Sequence, residues 1–346
     1  MSNINGWDYM DNRGYVMAGL AFLLIIPAVI LSVMLINMVN MDESTNNMIK
    51  SDILGHISSD FEASIPDFTR EVLRENTANV VRNGQPIKNS RMVIRNEVQA
   101  KIDDLKKEYL KYTDVSIQCQ IKSVDSASDP YQIQIESNII VSKHNNSINR
   151  NISQNIPFTV SESKNNGSLD ESKISDPLPF IKTKEYGGVS VDGDRIKYGS
   201  SLSNYLKSKG INNSHVYENA SSPLYFKQCP YDPYSSHGKC NMLFNLKNCV
   251  DNGYYHKSAD GACILCRLEG KATCNHFGLE TFIIPSMNTR SEIIAPCSID
   301  HVIFSENGPD GYGTYPGKIV EFQCSTNSSN RLFLDDGHRN KYGIIM

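Results

Sequence analysis

The chain has 346 residues, with 34 basic and 38 acidic side chains and a formal net charge of −4. This balance provides no net positive field, which argues against nucleic acid as a partner. The sequence also lacks a glycine-rich phosphate loop, H-E-x-x-H, G-x-S-x-G and an EF-hand loop, so the common enzyme classes with such motifs are excluded. We therefore expect a structural or binding protein more than an enzyme.

An uncharged apolar run from Tyr15 to Ile36 comes directly after a short polar leader at 1–14. As a helix rising about 1.5 Å per residue it would span about 33 Å, enough for a hydrocarbon core of about 30 Å. The run is longer than the apolar stretch of a secretory signal and is not followed by a small-residue cleavage site. The pattern predicts a transmembrane helix over 15–40, bent at Pro27.

The orientation of this helix is indicated by the residues on its C-terminal side, because Arg13 is the only basic residue before the run. All nine cysteines and all the Asn-x-Ser/Thr sequons lie after the run, which is typical of an exported segment. We expect a single-pass cell-membrane protein that contacts the lipid bilayer, with a cytoplasmic N-terminus and an extracellular C-terminal region whose ligand the sequence does not indicate. The predicted glycosylation sites are Asn145, Asn151, Asn166, Asn212, Asn219 and Asn327.

A helical region is predicted over 41–112. Apolar residues at helical spacing continue from the membrane run to about residue 60, which predicts a helical stalk. A second helix is expected to start after Ser64-Ile65, with Pro66 and Asp67 in its first turn, and to stop near 83–86. A third is expected over 90–112, where Val98, Ile102 and Leu105 lie on one stripe.

The apolar period changes to two in the region 113–163. This alternation, interrupted by polar turns, predicts an antiparallel meander of three strands, and it places Cys119 on the buried face of the first strand. A linker and mixed segment covers 164–224, with a short amphipathic helix around Leu202, Tyr205 and Leu206.

The last region, 225–346, is rich in cysteine. An even number of cysteines in a stretch with few long apolar runs is typical of an exported module braced by disulfides. Short strands are expected at 300–304, 318–322 and 331–334. The predicted disulfide cysteines are Cys229, Cys240, Cys249, Cys263, Cys266, Cys274, Cys297 and Cys324.

Metal binding is the alternative interpretation of the same cysteines. Cys263 and Cys266 form a C-x2-C knuckle, and Cys274 with His276 adds a third thiolate and an imidazole, the ligand types that tetrahedral zinc prefers. A redox-active C-x-x-C is a third interpretation, although the motif lacks the βαβ context of a thioredoxin. The histidines His237, His256 and His301 are interpreted as surface or locally hydrogen-bonded groups.

The N-terminus resembles the type IV pilin family, including TadE-like pseudopilins. The resemblance rests on a polar leader ending in Arg13-Gly14, directly before the apolar run, and covers about residues 11–60. It implies cleavage between Gly14 and Tyr15, and contacts with other copies of the chain or other pilin-like subunits through the apolar helix. Many pilins carry glutamate at the fifth residue after the cut; here that residue is Gly19, which favours a minor subunit.

Together, these features predict an α+β chain with a transmembrane helix extended into a stalk, an antiparallel β meander and a disulfide-rich, mostly β or irregular module. The leading functional hypothesis is a structural or adhesive pilin-like surface component with no cofactor. The alternative is a membrane-tethered extracellular binding module with zinc or a redox-active cysteine cluster, and an exported enzyme is the third hypothesis.

Overall fold

The structure is a computed structural model that describes residues 25–27, 43–113, 115–143, 146–159, 173–211, 213–231, 237, 243–285, 298–305, 318–324 and 328–344. These residues form an α+β chain with short antiparallel sheets. The chain divides into two compact units, the first comprising Met1–Ala63, Lys101–Cys119 and Asn138–Arg150, and the second comprising Ser64–Ala100, Gln120–Ser137 and Asn151–Met346.

The predicted membrane helix and the single-pass membrane location are corrected by the structure. Over the described ranges, no helix is both long and apolar enough to cross a lipid bilayer. The long helix α1 (Glu43–Asn83) is instead rich in polar and charged residues. Of the expected span 15–40, only 25–27 are described, as a short piece of helix, and the rest lies outside the described residues.

Two long helices precede the first sheet. α1 was expected as two helices with a boundary near Ser64, but Pro66 lies inside one continuous helix. Burial of Phe61 and Ile65 on the same helix offsets the roughly 3 kcal/mol that an internal proline costs. α1 ends where predicted, with Gly84 at φ +63° donating its N–H to the carbonyl of Val80 at 2.7 Å. α2 (Ser90–Thr113) confirms the third predicted helix.

The three-stranded sheet contains β1 (Ser116–Ser126), β2 (Gln132–Lys143) and β3 (Asn146–Pro157), in that order. Buried and exposed residues alternate along β1, and Cys119 is only 5% exposed, which confirms its predicted place on the buried face. Burial raises the pKa of the Cys119 thiol to about 12.

The next segment belongs to the second unit. It contains α3 (Leu178–Thr183), β4 (Ser190–Asp192), β5 (Arg195–Lys197), α4 (Ser201–Ser208) and β6 (Ser221–Pro223), with the three strands paired antiparallel. α4 confirms the predicted amphipathic helix. Its apolar face enters a core that includes Leu178, Ile196, Tyr198, Leu202, Leu206, Tyr217 and Phe304.

The C-terminal elements alternate short helices with two hairpins. They are α5 (Leu243–Asn252), β7 (Tyr255–Ser258), α6 (Ile264–Leu268), β8 (Gly278–Thr281), α7 (Asp300–Phe304), β9 (Lys318–Cys324), β10 (Ser328–Leu334) and α8 (Asp336–Lys341). β7 pairs with β8, and β9 with β10, both antiparallel. Their core includes Leu246, Val250, Phe282, Ile299, Val320, Leu332 and Leu334.

The expectation for 300–304 is wrong, whereas those for 318–322 and 331–334 are confirmed by β9 and β10. Asp300–Phe304 form the helix α7, with the N–H groups of Val302 and Ile303 both bonded to the carbonyl of Ile299 at 3.1 Å. All five residues of this segment are buried, so no alternation of buried and exposed positions distinguishes helix from strand.

Candidate metal-binding sites

Two groups of cysteine and histidine side chains converge in the C-terminal part of the second unit. In each group, the four potential ligand atoms all lie within 4.8 Å of one another, so each group can hold a metal ion. We refer to Cys229, His237, Cys249 and His256 as the Cys2His2 cluster, and to Cys263, Cys266, Cys274 and His276 as the Cys3His cluster.

The Cys2His2 cluster is assembled from distant parts of the sequence. Cys249 lies on α5 and His256 on β7, while His237 lies in a turn. Cys229 is placed beside His256 because its backbone N–H donates to the carbonyl of Tyr255 at 3.1 Å. The cluster is buried: Cys229 is 8% exposed, and the other three side chains are fully inaccessible.

The distances within this cluster suit a single tetrahedral ion. The Sγ atoms of Cys229 and Cys249 are 3.5 Å apart, and His237 Nε2 lies 3.4 Å from the first and 3.0 Å from the second. With zinc–sulfur bonds near 2.3 Å and zinc–nitrogen bonds near 2.0–2.1 Å, tetrahedral ligand atoms are about 3.3–3.8 Å apart. The observed separations are therefore close to those that zinc requires.

Aromatic rings surround the Cys2His2 cluster. The ring of His256 lies 5.1 Å from that of Tyr342 and 5.6 Å from that of Phe282, and His237 packs edge-on against Tyr231 at 5.9 Å. Two thiolates and two neutral imidazoles around a divalent cation carry no net charge. An apolar surrounding is compatible with such a neutral complex, because no uncompensated charge is buried.

One thiol of this cluster is strongly acidified. The hydrogen bond from Cys249, together with those from His237 and His256, lowers the pKa of Cys229 to about 3 despite its burial. The same contact and burial raise the pKa of Cys249. Because the thiolate is the form that binds metals, this lowered pKa favours the ligating state of Cys229.

The Cys3His cluster is built around the start of α6 and the segment that leads into β8. Cys263 is the residue before α6, in extended conformation, and Cys266 lies within the helix. The N–H of Cys263 donates to Cys274 Sγ at 3.3 Å, while His276 Nδ1 lies 3.8 Å from Cys263 Sγ and 3.6 Å from Cys266 Sγ. Hydrogen bonds from Cys263 and Cys266 lower the pKa of Cys274 to about 2, so this thiol too is poised as a thiolate.

Two glycines allow the two backbone segments on either side of the Cys3His cluster to approach each other closely. A Cβ on Gly261 would lie 2.1 Å from the carbonyl oxygen of Leu279, and a Cβ on Gly278 would lie 2.2 Å from the carbonyl oxygen of Gly261. Both contacts are with backbone atoms, which cannot rotate away. The close approach of these two segments therefore requires glycine on both sides.

Arg91 supplies positive charge beside the Cys3His cluster. Its Nη1 lies 4.0 Å from Cys266 Sγ and its Nη2 lies 3.1 Å from His276 Nε2, while its Nε donates to Asp125 at 2.8 Å. Three thiolates and one imidazole around a divalent cation leave one net negative charge, which a neighbouring guanidinium stabilises. The Cys3His cluster thus has a cation beside it, whereas the Cys2His2 cluster is packed against aromatic rings.

The expected disulfides are not found among the five cysteines of these clusters. The thiols of Cys229, Cys249, Cys263, Cys266 and Cys274 are free. A disulfide needs a sulfur–sulfur bond of about 2.05 Å. The sulfurs of Cys229 and Cys249 are 3.5 Å apart, and His237 Nε2 lies 3.4 Å and 3.0 Å from them. Of the other predicted disulfide residues, Cys240 and Cys297 lie outside the described residues, and Cys324 is described only as the end of β9.

The sequence predicted one of the two clusters. The alternative set Cys263, Cys266, Cys274 and His276, predicted from the C-x2-C knuckle and the ligand types of zinc, is brought together. The Cys2His2 cluster was missed: His237 and His256 were interpreted as surface or locally hydrogen-bonded groups, yet both are buried. A signal was present in the pairing of each cysteine with a histidine seven or eight positions later, but such spacing is not diagnostic.

Of the remaining predicted sites, the structure describes only Asn151 and Asn219. Asn151 and Asn219 are exposed, while Asn145, Asn166, Asn212 and Asn327 lie outside the described residues, as do Gly14, Tyr15 and Gly19. Glycosylation, cleavage after Gly14 and contacts between pilin-like subunits therefore stay predictions.

Comparison with known proteins adds no family to these observations. No protein-family model, no curated protein and no solved structure matches the chain at a significant level.

Proposed function

We propose that the C-terminal half of this protein is a zinc-binding structural module in which the Cys2His2 and Cys3His clusters each hold one zinc ion. The observation that carries the proposal is the convergence of eight cysteine and histidine side chains into two separate sets of four. Thiolate and imidazole are the ligands that zinc prefers, and both sets match the composition of structural zinc sites.

The ligand number indicates a structural role for these two ions. A tetrahedral zinc ion bound by four side chains has no open position for water or substrate, whereas catalytic zinc keeps one. The elements that carry the ligands are short, five residues in α6 and four in β7, and such elements have little stability of their own. Zinc would tie them together, as structural sites contribute about 10–16 kcal/mol to folding in zinc-finger peptides.

The experiment is a zinc count on the full chain with one variant for each cluster. Cys249→Ser removes a buried ligand from the Cys2His2 cluster, and Cys274→Ser removes one from the Cys3His cluster. Elemental analysis of the purified protein should give one zinc fewer per chain for each variant and two fewer for the double variant. His215→Gln is the matched control, because His215 is exposed and lies outside both clusters.

Two results would contradict the proposal. One is a wild-type zinc content that neither cysteine variant changes while circular dichroism shows the fold retained. The other is a mass spectrum of the native, unreduced chain in which Cys229, Cys249, Cys263, Cys266 or Cys274 is disulfide-bonded.

A further inference from the structure

A third convergence of ligand-type side chains lies outside both cysteine clusters. Glu280 on β8, His301 on α7 and His338 on α8 meet with His301 Nε2 3.0 Å and His338 Nε2 3.7 Å from the same carboxylate oxygen, Glu280 Oε2. The two imidazole Nε2 atoms are 3.3 Å apart. All three side chains are buried, with Glu280 and His301 fully inaccessible and His338 4% exposed.

Asp335 fixes the orientation of the His338 ring through its contacts with the backbone N–H and Nδ1 of His338. This residue caps α8: its Oδ1 accepts from the backbone N–H of His338 at 2.9 Å, and its Oδ2 lies 2.6 Å from His338 Nδ1. Because an ionised carboxylate only accepts hydrogen bonds, the His338 proton belongs on Nδ1, which directs the Nε2 lone pair toward Glu280 and His301. A carboxylate behind the ring of a histidine is the arrangement that orients metal-binding imidazoles in proteins.

Two further side chains, those of Tyr342 and Lys341, hold the carboxylate of Glu280 in place. Tyr342 donates its hydroxyl to Oε1 at 2.6 Å, while Lys341 Nζ lies 2.8 Å from Oε2. Oε2, the oxygen that faces both imidazoles, is therefore aimed into the cluster by a hydrogen bond at the opposite end of the carboxylate. Three ligand atoms from three different elements are thus directed at one point.

We propose that Glu280, His301 and His338 form a third metal site, which binds a divalent transition ion of the zinc type. Two imidazoles and one carboxylate are the ligand set of sites that keep a position open, and this position would take a water molecule or another small oxygen donor. The site contains no sulfur, so it differs in chemistry from the two cysteine clusters. The two cysteine clusters are proposed to be structural, whereas this third site can present an exchangeable ligand.

The alternative is a buried hydrogen-bond network in which a proton joins the two imidazoles to Glu280. The side chain of Lys341 distinguishes the metal site from the hydrogen-bond network. Its side chain is 23% exposed, and its positive charge sits on the oxygen that an ion would bind. In a metal site this charge opposes the ion, so removing it strengthens metal binding. In a hydrogen-bond network it neutralises Glu280, and removing it changes no metal affinity.

The experiment uses the full chain and zinc alone as the probe, with binding followed by native mass spectrometry and by competition with a chelator. The expected result is three zinc ions per chain for the wild type and for the His215→Gln control, and two for His338→Gln. Asp335→Asn should bind the third ion about 10- to 100-fold more weakly, as is typical for loss of a carboxylate behind a metal-bound histidine. Lys341→Met should bind it severalfold more tightly.

Cobalt substitution separates this site from the cysteine clusters. Thiolate-to-cobalt absorption reports only the clusters that contain sulfur, so it should be unchanged in His338→Gln and reduced in Cys249→Ser and Cys274→Ser. A failure of the cysteine clusters to bind metal would remove this absorption and still leave one zinc that His338→Gln abolishes. The third site is overturned if the folded His338→Gln variant binds as many zinc ions as the wild type, or if Lys341→Met leaves zinc affinity unchanged.

Discussion

At the scale of single residues, the environment of each cysteine decides its chemistry. Cys119 and Cys274 carry the same thiol, but Cys119 faces the apolar side of β1, where burial raises its pKa to about 12, whereas hydrogen bonds from two other cysteines lower the pKa of Cys274 to about 2. The thiol of Cys119 is therefore a packing group, whereas the thiol of Cys274 is suited to bind a metal ion.

This contrast predicts the order in which the thiols react. At pH 8 the thiolate fraction of Cys119 is roughly one in ten thousand, so iodoacetamide should leave Cys119 unmodified in the folded chain. Cys274, which is partly exposed, should react readily once a chelator is present and slowly without it. Peptide mass mapping of the alkylated chain measures both. Modification of Cys119 before Cys274 in folded, chelated protein would contradict the assignment.

The histidines show which part of the sites could be anticipated from residues alone. Of the seven histidines that the structure describes, five belong to one of the three clusters. His276 was identified because Cys274 is two positions before it and the C-x2-C pair is close in sequence. His338 was not identified, because its partners Glu280 and His301 are 58 and 37 positions away and only tertiary folding brings them together.

At the scale of elements, the β7–β8 hairpin organises the sites. β7 carries His256, β8 carries Glu280, and the segment between the two strands supplies all four residues of the Cys3His cluster. The register, with Tyr255 opposite Thr281 and Ser258 opposite Gly278, fixes where each ligand lies along the hairpin.

Gly278 is a position at which this hairpin has no room for a larger residue. Gly278→Ala would place a Cβ 2.2 Å from the backbone oxygen of Gly261, so the segment that carries the Cys3His cluster must move. We expect a loss of stability of about 1–3 kcal/mol and weaker zinc binding at that cluster alone. Chemical denaturation and chelator competition measure the two effects.

Gly55→Ala is the matched control for this substitution. Gly55 lies within α1, and a Cβ there meets nothing within 4 Å. The change should stabilise the chain by about 0.5–1 kcal/mol, because alanine favours a helix over glycine. Equal effects of the two alanine substitutions would refute the role given to Gly278.

The elements themselves were predictable to different degrees. Periodicity identified α2 and the buried face of β1, and short apolar segments indicated the strands β9 and β10. Local rules failed where tertiary packing overrode them: Pro66 was expected to start a helix but lies inside α1, and Asp300–Phe304 formed a helix where a strand was expected. Burial on several sides removes the alternation on which such predictions depend.

At the scale of the whole molecule, buried charges connect the elements that carry the sites within the second unit. Arg267 on α6 is fully inaccessible and pairs with Asp176 and with Asp300, both at 2.7 Å. Asp300 also accepts from the backbone N–H groups of Thr281 and His301, which lie at the end of β8 and on α7. Removing Arg267 would leave the two buried carboxylates without their cation, at a typical cost of about 3–5 kcal/mol.

This network could not be foreseen from the sequence, because charged residues are in general expected at the surface. The sequence also could not decide between disulfides and metal binding for the cysteines. Their number and spacing are equally compatible with bridges and with metal ligands, and only the positions of the histidines, set by the fold, distinguish the two.

The most direct test of the two cysteine clusters is X-ray absorption at the zinc edge on the purified full chain. We predict that sulfur neighbours at about 2.3 Å and nitrogen or oxygen neighbours at about 2.0–2.1 Å both surround the bound zinc. Sulfur should account for five of the ligands summed over the Cys2His2 and Cys3His clusters. Zinc with only nitrogen and oxygen neighbours, or a folded chain that carries no zinc, would contradict the proposal that these two clusters are zinc sites.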